Sequence, residues 1–302
     1  MKKNLMKRFM LLGLVSVMTY SMVGCSSKDN KETFTIAYAP NESTQESAGA
    51  REGLEKELGK AINMDVKEIQ ASDYNSIIEA LRTGKADMAY MGSLSVALAK
   101  DRAQTEPIVM KAENGDKTKS TYKSLLITSS KNKDINSIKD IKGKTISFVD
   151  PDSTSGNLIP TAEIIKAFAN EKLNMDALHT NGKFFEASTF SGKHQAGLQA
   201  VIKGDVDIVP ISDQILKSEI ESGNAKESDI KIIHTSAPIP GEAMIVKSDM
   251  DKTLKNNLVD FLTSYNNEQY FNEVIKNKAA RFIKTGIEDY KDIIELNKSL
   301  NK

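Results

Sequence analysis

Short apolar runs rich in β-branched residues recur along this chain, and helix-like stretches stand between many of them. The runs are Phe34–Ala39, Val66–Gln70, Ala86–Met91, Pro107–Lys111, Leu125–Thr128, Thr145–Val149, Phe184–Ala187, Asp207–Ile211, Lys231–His234 and Ala243–Val246. Such runs read as buried strands. Between them, Ser47–Lys60 places Ala50, Leu54 and Leu58 on one helical face, and Tyr74–Arg82 gathers Tyr74, Ile77, Ile78 and Leu81. Gly156–Ala169, Lys193–Lys203 and Asp213–Glu221 behave similarly. From Asp251 onward the chain reads as helical, with Leu254, Leu258 and Leu262 at apolar positions. Alternating strand and helix predict an α/β architecture with largely parallel sheets.

About ten strands are many for one open sheet with both faces covered, so two α/β lobes are expected. The polar stretch Gly115–Tyr122 and the Pro-containing stretch Thr235–Pro240 are the expected crossovers. They assign 33–118 plus 238–302 to a first lobe and 119–237 to a second. A ligand cleft is then expected between the lobes, at strand C-termini and helix N-termini.

Charge narrows the partners. The 302 residues carry 41 basic and 41 acidic side chains, without the basic excess of a nucleic-acid-binding protein. The first 24 residues hold Lys2, Lys3, Lys7 and Arg8 and no acid, so the remainder is mildly acidic. Met1–Arg8 is basic, Phe9–Val23 is uncharged and largely apolar, and Gly24 is small; this is the order of a secretory signal. The apolar run is broken by Ser16, Thr19, Tyr20 and Ser21, and it is short beside the roughly 20 residues of a membrane span. Met22-Val23-Gly24-Cys25 resembles a bacterial lipobox. That resemblance implies a signal peptide over 1–24, lipidation of Cys25, and residues 25–32 as a tether to the outer face of the cell membrane. Cys25 is the only cysteine, so no intrachain disulfide forms.

The segment richest in chemistry is Thr145–Pro160. A strand runs into Asp150-Pro151-Asp152-Ser153-Thr154-Ser155-Gly156 and then into a helix. Pro151 and Asp152 make a turn, and Ser153 or Thr154 is placed to cap the helix. A helix N-terminus offers backbone N–H groups and a partial positive charge. Three successive hydroxyls add donors without adding charge, an arrangement suited to a tetrahedral oxyanion. An ordinary capped turn explains part of the same pattern.

Asp150–Gly156 matches the D-P-x-S-T-S-G signature of the phosphonate/phosphite/phosphate-binding proteins of ABC importers, and the chain resembles that family. Ser72–Leu94 (SDYNSIIEALRTGKADMAYMGSL), Ser191–Val201 (SGKHQAGLQAV) and Ala237–Glu242 (APIPGE) resemble its other blocks in the same order. The resemblance implies a two-lobed type II periplasmic-binding-protein fold. It also implies a protein that closes over a phosphonate-class ligand and delivers it to an ABC permease with its ATPase, without a cofactor. One ligand per molecule makes a monomer sufficient. Carried over residue by residue, the resemblance implies that Ser153, Thr154 and Ser155 hold the phosphonate oxygens. His194 donates to the same group, and Tyr74 adds its hydroxyl from the other lobe. Glu242 falls where the family sets an acid against the amine of aminoalkylphosphonates. The second such position is Gln214, which is not acidic, with Asp213 beside it. Tyr90-Met91 stands where the family has an aromatic pair, so a thioether replaces one tyrosine hydroxyl. An acid beside a pure phosphate dianion is repulsive. Organophosphonates therefore rank above inorganic phosphate, with phosphite open.

An enzyme such as a phosphatase is disfavoured. His179, His194 and His234 lie in separate segments without metal-ligand spacing, and neither a G-x-S-x-G elbow nor a P-loop is present. No catalytic residue and no metal site is expected. The other alternative keeps the fold but binds a different solute or acts as a sensory module.

Overall fold

The computed structural model describes residues 32–301. The expected signal sequence, Cys25 and nearly all of the tether lie outside the described residues. Among the described residues no helix is long and apolar enough to cross a membrane.

In chain order the first elements are β1 (Thr33–Tyr38), α1 (Ala48–Ile62), β2 (Asp65–Gln70), α2 (Tyr74–Arg82), β3 (Met88–Met91), α3 (Ser93–Ala103) and β4 (Thr105–Glu113). Next come β5 (Thr121–Tyr122), β6 (Ser124–Ser129), β7 (Thr145–Phe148), α4 (Ile159–Ala167), α5 (Met175–His179), β8 (Ala187–Phe190), α6 (His194–Lys203), β9 (Ile208–Ser212), α7 (Asp213–Glu221) and β10 (Ile230–Thr235). The last are β11 (Ile239–Pro240), β12 (Ala243–Lys247), α8 (Lys252–Ser264), α9 (Glu268–Glu273), β13 (Ala280–Lys284) and α10 (Lys291–Leu300).

Two sheets result, one for each lobe. The six-stranded sheet runs β13-β4-β12-β3-β1-β2, and the five-stranded sheet runs β10-β6-β9-β7-β8. Both are covered on both faces, which is why their strands lack a polar side. In β1, Phe34, Ile36 and Tyr38 pack under α1, α8 and α9 with Leu54, Leu58, Leu258 and Phe271. Ala37 points the other way, into a cluster with Ile77, Ile78 and Leu81 of α2. In the second sheet, Ile146 and Phe148 face Ile164 and Leu178, while Ile127 and Val209 face Leu198 and Leu216. Each fully buried leucine of this kind is worth about 1.5–3 kcal/mol of transfer free energy.

The chain leaves the first sheet after β4 and returns to it at β12. The two passages lie side by side, β5 pairing antiparallel with β11 (Tyr122 opposite Ile239). Tyr122 and Ile239 join Leu94, Leu158 and Ile293 in an apolar cluster drawn from both lobes.

Three sequence expectations change. The sheets are mixed rather than largely parallel. β12 returns through the second passage, not through a right-handed crossover helix, and so enters antiparallel to both β3 and β4. The C-terminal stretch is not all helix: Ala280–Lys284 forms edge strand β13, antiparallel to β4, with Ala280 and Phe282 inward. The strand expected at Phe184–Ala187 sits later, at Ala187–Phe190. Phe184 and Phe185 instead fill the second lobe's core from an irregular segment, in edge-on contact 4.9 Å apart.

Candidate functional site

β7 delivers the chain to a tight turn in which the Asp152 amide donates to Asp150 Oδ1 (2.8 Å) and the Ser153 amide to the Asp150 carbonyl (3.0 Å). Ser153 Oγ then caps the following helix by accepting from the Gly156 amide (3.1 Å). That helix opens with a π turn over Thr154–Leu158 before continuing as α4. A π turn is wider than an α turn and is common at functional sites. Ser153, Thr154 and Ser155 are all buried. Gly156 is required here: a Cβ would lie 2.4 Å from Val149 Cβ and 2.7 Å from Ser153 Oγ.

The first lobe closes over this turn. The Leu94 amide, in the first turn of α3, donates to Thr154 Oγ1 (2.8 Å), and Ser95 Oγ donates to the Asp152 carbonyl (2.9 Å). A hydroxyl that accepts in this way keeps its own proton to donate. Gly92, the residue before α3, leaves room for the approach, since a Cβ there would come 3.0 Å from Thr154 Oγ1. Asn41, just past β1, bridges the lobes from the side. Its Nδ2 donates to the Tyr74 hydroxyl, and its Oδ1 accepts from the His194 amide at the start of α6 (3.0 Å). This is a closed form, with polar contacts between the lobes around the cleft.

His194 Nε2 lies 3.3 Å from Ser155 Oγ. Burial lowers the imidazole pKa to about 4, so the ring is neutral near pH 7 and offers one N–H. A serine beside a histidine supplies two of the three members of a hydrolytic triad. Here Nδ1 is buried without a hydrogen-bond partner, and the nearby polar group is the Pro210 carbonyl, not an orienting carboxylate. The pair offers hydrogen-bond donors to the cleft.

The closed cleft leaves a free cavity of only about 30 Å³, far below the usual size of ligand sites. Eight of the ten ligand-binding residues expected from sequence line it: Tyr74, Tyr90, Met91, Ser153, Thr154, Ser155, His194 and Glu242. Asp213 and Gln214 do not. Asp213 accepts from the amides of Lys123 (3.0 Å) and Gln214 (2.9 Å) at the start of α7. Gln214 Oε1 accepts from Lys111 Nζ of the other lobe (2.5 Å). Lys111 also forms an ion pair with Glu242 and lies 5.3 Å from the centre of the Tyr122 ring. The charge opposite the hydroxyl turn is thus partly balanced from within.

Asn41, Glu42, Ser95, Tyr122 and Ser212 line the cleft without belonging to any motif recognised in the sequence. The available signal was position: Asn41 and Glu42 follow the C-terminal end of β1, where ligands of α/β sheets gather. Arg51, fully buried on α1, holds that loop by donating to the carbonyls of Glu42 and Thr44 (both 3.0 Å). Burial pushes the phenols of Tyr74, Tyr90 and Tyr122 up, so all three remain neutral donors.

Two mixed α/β lobes joined by paired passages, with a small polar cleft between them, define a type II periplasmic binding protein. The family model described as "ABC transporter, phosphonate, periplasmic substrate-binding protein" matches residues 36–290, and the chain belongs to that family. It is 28% identical over 246 residues to the phosphate-import protein PhnD of Mycolicibacterium smegmatis, covering 80% of this chain and 74% of that one. It is 27% identical over 262 residues to a probable ABC transporter phosphite-binding protein, PhnD1, of Prochlorococcus marinus, covering 82% of each. The solved structure of PhnD1 from Prochlorococcus marinus in complex with methylphosphonate superposes with a TM-score of 0.73 at 23% identity, over 90% of this chain and 99% of that one. The protein is an extracytoplasmic component that captures substrate for an ABC importer.

Proposed function

We propose that the captured ligand is an organophosphonate, held by its phosphonate group on Ser153, Thr154, Ser155 and His194, with Tyr74 closing from the first lobe. One observation carries the reading: three buried hydroxyls in succession at the opening turn of a helix, beside a neutral histidine, in the cleft between two lobes. Neutral donors of this kind hold a tetrahedral oxyanion without a matching cation. The relatives are named for phosphate and phosphite, and one neighbouring structure holds methylphosphonate. An acidic opposite wall favours a phosphonate whose substituent carries an ammonium group over a bare dianion.

The rest of the reading follows from it. The first lobe comprises 33–118 and 238–302 and the second 119–237. Closure around the ligand presents a surface to the permease, which works with its ATPase. The protein acts as a monomer and performs no catalysis of its own. Met91 makes the floor of the cleft more apolar than a second tyrosine would.

Titration calorimetry on the domain starting after Cys25 tests the ligand, against 2-aminoethylphosphonate, methylphosphonate, phosphite, phosphate and sulfate. A phosphonate is expected to bind most tightly. Ser155→Ala is expected to weaken it by about 10- to 100-fold, as a hydrogen bond to a charged group is worth about 1.5–3 kcal/mol. No binding of any phosphorus oxyanion at millimolar concentration overturns the proposal.

The reading also includes a lipid anchor at Cys25, supported by the lipobox-like Met22–Cys25. In cells fed labelled fatty acid, the protein is expected to take up label, and Cys25→Ser to take up none. Equal labelling of both excludes the anchor at this position.

A further inference from the structure

The wall facing the hydroxyl turn holds more acid than base. Glu42 follows β1, Glu242 lies between β11 and β12, and both line the cleft. Lys111 of β4 is engaged by Glu242 and by Gln214 of α7. Glu42 Oε2 is buried with neither a hydrogen-bond nor an ion-pair partner among the described residues. Arg51 reaches only the main-chain carbonyl of Glu42. Asn41, its neighbour, is committed to Tyr74 and His194. A free carboxylate so placed would confront any anion entering the cleft.

We propose that Glu42 makes ligand capture proton-linked: the closed cleft takes up its oxyanion together with one proton, held on the Glu42 carboxyl facing the ligand. This rests on the reading of the cleft as an oxyanion site and adds a second requirement to it. The surroundings favour the neutral acid. Burial pushes the Glu42 carboxyl up to about 8 and the charge of Glu242 pushes the same way, while Lys111, the backbone amide of Glu42 itself and Lys276 after α9 oppose them. The other titratable groups that feel its charge are the phenols of Tyr74, Tyr90 and Tyr270, all themselves held neutral by burial. His194 is uncharged near pH 7 and offers no compensation.

The sign is fixed by this arrangement. Below about pH 8 the closed cleft holds Glu42 protonated at no further cost. Above that pH closure over the ligand must draw a proton onto Glu42, so affinity falls by about tenfold per pH unit. A ligand that carries an ammonium group supplies the positive charge itself and is released from this dependence.

The test is the affinity for methylphosphonate between pH 6.5 and 9.5, in the wild type and in Glu42→Gln. The wild type is expected to weaken steeply above pH 8, and Glu42→Gln to bind at least 10-fold more tightly than the wild type at pH 9.5. Methylphosphonate titrates identically in both experiments, so the difference isolates residue 42. Calorimetry at pH 9 in two buffers of different ionisation enthalpy measures proton uptake directly, expected to be higher by about one per ligand in the wild type than in Glu42→Gln or Glu42→Ala, since any proton the ligand itself gains is common to all. In a parallel arm, 2-aminoethylphosphonate is expected to lose less affinity than methylphosphonate over the same range. The same pH slope in both proteins, or the same proton uptake, overturns the proposal while leaving the phosphonate reading intact. Failure of methylphosphonate to bind the wild type at any pH overturns both.

Discussion

Gly156→Ala is expected to abolish phosphonate binding and to lower the melting temperature by roughly 5–15 °C, on the scale of about 2–4 °C per kcal/mol for a domain of this size. The added methyl has nowhere to go. It would stand 2.4 Å from both Cβ and Cγ2 of Val149 and 2.7 Å from Ser153 Oγ. Val149 cannot retreat cheaply, because its own amide donates to the Gly156 carbonyl (3.0 Å) at the end of β7. Ser153 cannot retreat without losing its bond from the Gly156 amide. Overpacking of this kind costs about 1–3 kcal/mol, and the lost cap about one more. The disturbance falls on the three hydroxyls themselves, so binding suffers more than stability. Gly53→Ala is the control: it lies inside α1, and its Cβ would meet nothing within 4 Å. It is expected to leave binding unchanged and to stabilise by up to about 1 kcal/mol, through helix propensity alone. Thermal melts and ligand titration check both. An unchanged melt and affinity for Gly156→Ala would mean the turn is not packed as described.

Lys111→Ala is expected to cost about 3–5 kcal/mol in urea unfolding, the usual penalty for removing one partner of a buried ion pair. The Lys111 side chain is 6% exposed and that of Glu242 14%, so water screens the pair poorly. Without the ammonium, Glu242 and Glu42 share the same enclosed space with no cation between them, and Gln214 loses the contact that ties α7 to β4. The cost belongs to the abandoned charge rather than to the contact. Lys111→Met combined with Glu242→Gln is therefore expected to recover most of the loss, and a double-mutant cycle to give a coupling of about 1–3 kcal/mol. Lys111→Ala losing less than 1 kcal/mol would place the lysine in solvent, contrary to its burial.

Both predictions concern the same cleft but were unequally visible in the sequence. The hydroxyl turn was legible because its parts are contiguous. Strand, turn, cap, hydroxyls and glycine occupy Thr145–Gly156, and each follows from local chemistry. His194 came only through the resemblance of its block, since one histidine opening a helix has many roles. Lys111 was read merely as the end of a strand. Its partners Glu242 and Gln214 lie 131 and 103 residues away, and no local pattern announces that three such residues converge. The acid that stands free, Glu42, was likewise silent, while Glu242 had a motif and proves to be paired already. Met91 and Tyr90 sit in the cleft, but nothing in their order shows which face of β3 looks onto it.

The sequence by itself determined the strand and helix segments whose period is strong, the division of apolar faces within them, and the helix-opening hydroxyl turn. All of these depend on neighbours within a few positions, where propensity, capping and steric room act directly. Only the tertiary structure decided the direction of β12, the strand at Ala280–Lys284 in a stretch that reads as helix, and the meeting of Asn41, Glu42, Lys111, Tyr122 and Glu242 in one cleft. Those outcomes depend on where the chain crosses between lobes and which edge it returns to. Ladder bonds and burial are settled there between residues far apart in sequence, and local preference yields to them.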